Sequence, residues 1–218
     1  MGYRQKSSIL FYTFLCIFSI SICPSYSSDQ FSSDPVEINI GERGYQIPKN
    51  YLGIVRPSQN AERHERAVLW VLWPGMEPKT EKNAHLWDRR RPKRQIRIHI
   101  EASGTETYDK LQNVISLGLL DPESEDWDHG LLRYAKKSWQ FFVVSEGSRL
   151  TPRRRPLAFK CNDVRPKTRE LFEVELLCIA EYQLIDGAWL VVHFFLSNLD
   201  QWREIDVAAR DLLERFRR

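Results

Sequence analysis

The chain predicts an α+β fold: a mainly antiparallel sheet, or two small ones, with a C-terminal amphipathic helix and one shorter internal helix packed on a face. Three observations carry this expectation. Short runs dense in β-branched and aromatic residues recur along the 218 residues, each halted by Gly, Pro or polar residues. Ile185, Asp186 and Gly187 join two of these runs by a short Asp-Gly connection, which favours a hairpin because Gly tolerates positive φ. The last stretch of the chain, finally, repeats its apolar residues at spacings of three and four rather than two.

Taken in order, residues 1–27 read as an export signal. Arg4 and Lys6 form a positive start, residues 9–22 an apolar run, and Ser25, Tyr26 and Ser27 a small-residue cleavage region. The apolar run is shorter than the roughly 20 residues that span a bilayer comfortably. Retention as an anchor is the alternative. A lipid on Cys23 is disfavoured by bulky Ile22 before it. With the signal removed, no stable membrane span is expected. Residues 28–34 form a polar, flexible lead-in, and residues 35–218 one α+β domain, or two small lobes.

Val36, Ile38 and Ile40 alternate with polar residues, a turn follows at 41–44, and Tyr45 and Ile47 return, so 36–47 is a hairpin. Residues 67–73 (AVLWVLW) make a dense strand stopped by Pro74-Gly75. Trp70 and Trp73 are three apart and so face opposite ways, one toward the core and one toward a surface. In 95–101 (QIRIHIE), Ile96, Ile98 and Ile100 face in while Arg97 and His99 face out. Residues 105–117 suit a helix with Tyr108, Leu111, Val114 and Ile115 on its apolar face, capped by Thr105 or Thr107. Residues 131–135, 139–145 and 156–161 are further strands.

The closing segment organises the rest. Residues 171–184 (LFEVELLCIAEYQL) and 188–196 (AWLVVHFFL) are two strongly apolar strands on either side of the Asp-Gly turn, suited to the middle of a sheet. A helix follows, with Ser197 or Asn198 as cap and Asp200 or Gln201 completing a capping box. Leu199, Trp202, Ile205, Ala209, Leu212, Leu213 and Phe216 form its stripe and should lie across the sheet.

Cysteine usage fits the export reading. Cys16 and Cys23 fall in the signal, leaving Cys161 and Cys178 as a pair to be bridged in an oxidising compartment, with two buried thiols as the alternative. Bulk charge does not imply strong nucleic-acid binding, and no nucleic-acid partner is expected. Removing 1–27 leaves 30 basic and 29 acidic side chains, a formal charge of +1.

No HExxH, GxSxG, phosphate-cradling loop or CxxC is present. No catalytic residue, metal ligand or cofactor is therefore assigned. His64, His85, His99 and His193 stand singly in sequence and read as surface or satisfied core residues. Two loops stand out instead. Trp87 is followed by Arg89, Arg90, Arg91 and Arg94, and Arg153 and Arg154 extend that basic patch if the two loops converge. Such a patch can meet carboxylates or phosphates on a partner; its bland alternative is a solubilising loop.

Asp121, Glu123, Glu125, Asp126 and Asp128 make an acidic loop. Its oxygens suit a hard cation, but Asp126 stands where a calcium loop of the EF type needs Gly, so a solvated loop is expected. The combined expectation is an exported, periplasmic or secreted, non-enzymatic protein that binds another protein, a toxin or an envelope component, as an inhibitor or immunity protein would. Two alternatives remain: an envelope hydrolase using Asp126 and Asp128 as acid and base, and an assembly accessory held by its N-terminus.

Overall fold

The computed structural model describes residues 31–57, 63–87, 94–136, 139–145, 150–162, 177–185 and 187–218. The expected signal, Arg89, Arg90 and Arg91, the first part of the 171–184 run and Asp186 lie outside them. The fold is α+β. Among the described residues eleven strands form one sheet: β1 (Pro35–Ile40), β2 (Arg43–Pro48), β3 (Leu52–Pro57), β4 (His64–Leu72), β5 (Gln95–Glu101), β6 (Glu125–Trp127), β7 (Leu131–Lys136), β8 (Trp139–Val144), β9 (Ala158–Asn162), β10 (Leu177–Gln183) and β11 (Trp189–Phe195). Helix α1 is Thr107–Ser116 and α2 is Trp202–Phe216.

The strand order is β2-β1-β4-β5-β11-β10-β9-β8-β7-β6, with β3 pairing β4 outside this path. Every pairing is antiparallel except the single contact of β1 with β4 at Ile40 and His64. The two most apolar late runs, β10 and β11, sit mid-sheet, joined by the predicted hairpin, in which Gly187 takes a φ of +87°. Cys178 lies directly opposite Cys161 in the β9–β10 register, and the two are joined by a disulfide.

Alternation gives the sheet two chemically different faces. Ile96, Ile98 and Ile100, with Leu190, Val192 and Phe194, point to one side. There α2 lays its stripe, with Trp202, Ile205, Ala209, Leu212 and Leu213 all buried, and Leu199 of the preceding turn buried beside them. Phe216 closes edge-on against Tyr51, ring centroids 5.0 Å apart. A fully buried Leu, Ile or Phe contributes about 1.5–3 kcal/mol each, so this layer is the main source of stability. On the opposite side α1 covers a smaller cluster in which Leu111 and Val114 meet Phe141, Val143 and Ala158. The helices thus pack on opposite faces, because successive side chains of β8 and β9 point opposite ways.

Three local expectations are corrected. Ser197 and Asn198 do not cap α2. Both belong to a 3₁₀ turn, Leu196–Gln201, and α2 has no side-chain cap bond. Gln201 is instead used in tertiary structure, its Oε1 accepting from Trp73 Nε1 at 2.6 Å. Nor does Thr105 or Thr107 cap α1; Glu106 occupies that position without a cap bond of its own. Part of the acidic loop is also a strand, since Glu125–Trp127 pairs with β7 at the sheet's edge.

Candidate functional site

The face of the sheet beside α1 carries polar residues where the other face carries core. Register sets them in rows. Arg66, Glu101 and Trp189 are paired across β4, β5 and β11, and Val68, His99, Val191 and Glu181 across β4, β5, β11 and β10. Trp70, Arg97, His193, Ile179 and Lys160 form a third row reaching β9. Period-two geometry puts each row on the same face.

Neighbours in this grid interact as their chemistry dictates. Arg66 Nε lies 2.7 Å from Glu101 Oε1, directly across the β4–β5 pair. The same oxygen is 3.2 Å from His99 Nδ1, two residues along β5. His99 and His193, diagonal neighbours, stack with ring centroids 4.3 Å apart. Arg97 lies over the Trp70 ring at 5.4 Å. Burial holds the His193 imidazole down to a pKa of about 3, helped by His99, Arg97 and Arg66 nearby. Burial also lowers His99, against the opposing pull of Glu101. Both rings are therefore neutral at pH 7.

The wall toward α1 is built by Glu181. Its carboxylate pairs with Lys110 of α1 and accepts from the Thr105 backbone N–H at 2.8 Å, while its own N–H donates to Thr107 Oγ1 at 2.9 Å. A strand residue thus ties down the backbone that leads into α1. Gly104 is needed here: a Cβ would lie 2.5 Å from Glu181 Oε1 and 2.8 Å from the Trp189 ring. Glu106 is buried against the Thr151 hydroxyl, 3.3 Å away, and burial raises its pKa. Lys160 is lowered by burial and by the charge of Lys110. Between these walls lies an open cleft of about 390 Å³, lined by Arg66, Lys110, Lys160, Glu181, His99 and His193 among others.

Of the basic loops singled out in the sequence, Arg89, Arg90 and Arg91 lie outside the described residues, and the described Arg94 and Arg153 stand apart. Trp87 donates its indole N–H to Asn83 Oδ1 at 3.0 Å, and Arg94 donates to the Trp73 carbonyl at 3.1 Å. Arg153 lies 5.4 Å over the Trp189 ring, while Arg154 is exposed with a φ of 58°. Arg94 precedes β5, whereas Trp189 pairs with Glu101 at the end of β5. The two groups are therefore separated by the length of that strand, roughly 20 Å.

The acidic residues Asp121, Glu123, Glu125, Asp126 and Asp128 are all exposed. Glu125 reaches Arg133 at 3.4 Å, and the same arginine covers Trp127 at 5.1 Å. Among the described residues no three His, Cys, Asp or Glu side chains gather as a metal-binding group. His99, His193, Lys160 and Glu181 were not legible as a site. Their one sequence signal is outward alternation on β5, and β5 and β11 meet only in the folded sheet.

No protein-family model matches the chain, and no curated protein matches it by sequence. Two solved structures share its fold. One is an immunity protein of the Stenotrophomonas maltophilia type IV secretion system, 17% identical with a TM-score of 0.59, the match covering 86% of this chain and 95% of that one. The other is the Neisseria meningitidis iron-regulated outer membrane lipoprotein FrpD, 13% identical with a TM-score of 0.53, covering 86% and 94%. At these identities the likeness is one of fold.

Proposed function

We propose that the chain is an exported, non-enzymatic protein of the cell envelope that acts by binding another protein, as an inhibitor or immunity protein. The observation that carries this reading is the polar grid beside α1. Its ion pairs, stacked imidazoles and cleft are held on strands rather than on loops, and a rigid patterned surface suits recognition of a partner. The disulfide is consistent with an oxidising compartment and with an export signal at 1–27. The shared fold with a secretion-system immunity protein supports the narrower form of the proposal, within the limit that fold alone does not assign function. Trp87, Arg89, Arg90, Arg91 and Arg94, with Arg153 and Arg154, are further proposed contacts.

The test is recovery of a partner. A C-terminally tagged full chain, expressed in its own host, is purified from the envelope fraction. The expected result is a co-purifying protein, a mature N-terminus near Ser28, and no free thiol at Cys161 or Cys178. Accumulation in the cytoplasm with both thiols titrating, or recovery without any partner, defeats the reading.

A further inference from the structure

The ordered path of strands ends at β2 and at β6, and the chain treats these two edges differently. Along β2 the outer edge is met by the end of the chain itself: Tyr45 and Arg217 form a β-bridge, and the Arg218 N–H donates to the Gly44 carbonyl at 3.1 Å. At the far end, β6 pairs with β7 on its inner side and with no strand on its outer side among the described residues. All three of its residues are exposed, Trp127 by 42% although its ring also rests edge-on against Phe142. Such an edge is a row of unpaired backbone N–H and C=O groups, ready to add a strand. Charge decides what kind of strand. Residues 119–130 hold five acidic side chains and no Lys or Arg. Glu125 is paired with Arg133, whereas Glu123, Asp126 and Asp128 make no ion pair among the described residues.

We propose that the outer edge of β6 receives an extended, basic segment of the partner protein, which adds to the sheet as a further strand. The inference rests on the protein-binding function proposed above and names the contact. Backbone hydrogen bonds supply the pairing, while side chains alternate: a Lys or Arg on one face meets Asp126, and the other face of the segment lies along Glu125 and Trp127. Trp127 argues against a purely solubilising edge, because large exposed aromatics are enriched in interfaces rather than on solubilising loops. A second copy of this chain is disfavoured as the occupant, since pairing β6 with itself sets two acidic segments side by side. The same repulsion keeps the edge from joining acidic strands, so the carboxylates give selectivity as well as attraction.

The experiment titrates the intact protein at low salt with an acetylated, amidated peptide of alternating lysine and threonine, following the backbone amide resonances of Glu125, Asp126 and Trp127. Saturable shifts are expected, with slower hydrogen exchange in β6, and salt should weaken them. A peptide of equal charge with two central prolines cannot pair as a strand and should bind at least about tenfold more weakly. Asp126→Lys should weaken binding about fivefold or more, as reversal of an exposed charge beside the ligand does. Glu42→Lys, the same charge change in the exposed turn between β1 and β2, should alter it less than about twofold. Asp126→Asn serves as a second variant, and melting curves establish that each is folded.

Three outcomes overturn the inference: no saturable shift in β6, which leaves the acidity a solubilising device; equal binding of the proline peptide, which makes the contact one of charge alone; or equal weakening by Asp126→Lys and Glu42→Lys. Shifts in β6 that follow the protein's own concentration, without peptide, also overturn it by making a second copy the occupant. Recovery of an envelope partner equally by wild type and Asp126→Lys overturns it too, and leaves the proposed function standing. Peptide pairing at β6 without recovery of any partner supports the edge as a docking strand and counts against the function alone.

Discussion

At the scale of single residues, the informative groups are buried and polar. His193 has a folded pKa of about 3, whereas an unfolded chain titrates near its ordinary 6.5. As pH falls below 6.5 the unfolded state takes up a proton that the folded state refuses, so stability is lost progressively down to about pH 3. His99 is lowered as well and acts with the same sign. Between pH 7 and 4.5 the loss from His193 is on the order of 2 kcal/mol. Urea titrations at the two pH values check it: His193→Gln should flatten the difference, and an unchanged slope would contradict the burial argument.

Tyr182 gives a second test at this scale. Its hydroxyl donates to Asp206 Oδ1 at 2.6 Å and accepts from Arg210 Nε at 3.0 Å, beneath α2. Burial raises its pKa well above the ordinary value, so the phenol stays protonated and can donate. Tyr182→Phe leaves the buried Asp206 carboxylate without that donor. A loss of about 1–3 kcal/mol is expected, read as a lower denaturation midpoint with an unchanged slope.

At the scale of elements, strands and helices were largely legible while their ends were not. The isoleucines of β5 and the stripe of α2 depend on period alone, and period is written in the chain. Caps depend on what competes for a side chain. Gln201 is taken by Trp73, and the chain entering α1 is held by Glu181, 76 residues beyond the Thr105 N–H from which it accepts, while α1 itself has no side-chain cap bond. The disulfide belongs to this scale too. Cys161 and Cys178 are 17 apart and directly opposed across β9 and β10. Closing such a loop stabilises the fold by about 3 kcal/mol, through the unfolded chain. Reduction, or replacement of both cysteines by Ala, should lower the melting temperature by several degrees. An unchanged melt would show that pairing and packing hold β9 to β10 without the bridge.

At the scale of the whole molecule, one sheet carries an apolar layer under α2 and a polar grid beside α1. Trp202 links distant parts: its ring lies 5.7 Å from Phe159, and its indole donates to the His129 carbonyl at 3.2 Å, in the turn before β7. Trp202→Ala should cost about 3–5 kcal/mol, the value for removing a large buried aromatic. If the sheet is one cooperative unit, near- and far-ultraviolet circular dichroism will lose signal together in that variant, and separated transitions would mark two lobes.

Reading the residues in order was enough to establish the class of fold, most of the strands, the α2 stripe and the cysteine pair that became a bridge. Each of these follows from spacing or composition within a short window. The candidate site needed the folded chain. His99 and His193, or Lys110 and Glu181, become neighbours only when β5 pairs with β11 and α1 settles on β9 and β10. No local pattern encodes that meeting, because it is made by strand order and register. The same order keeps Arg94 and Arg153 at opposite ends of β5, so the convergence on which the sequence made a shared patch conditional does not occur between these two.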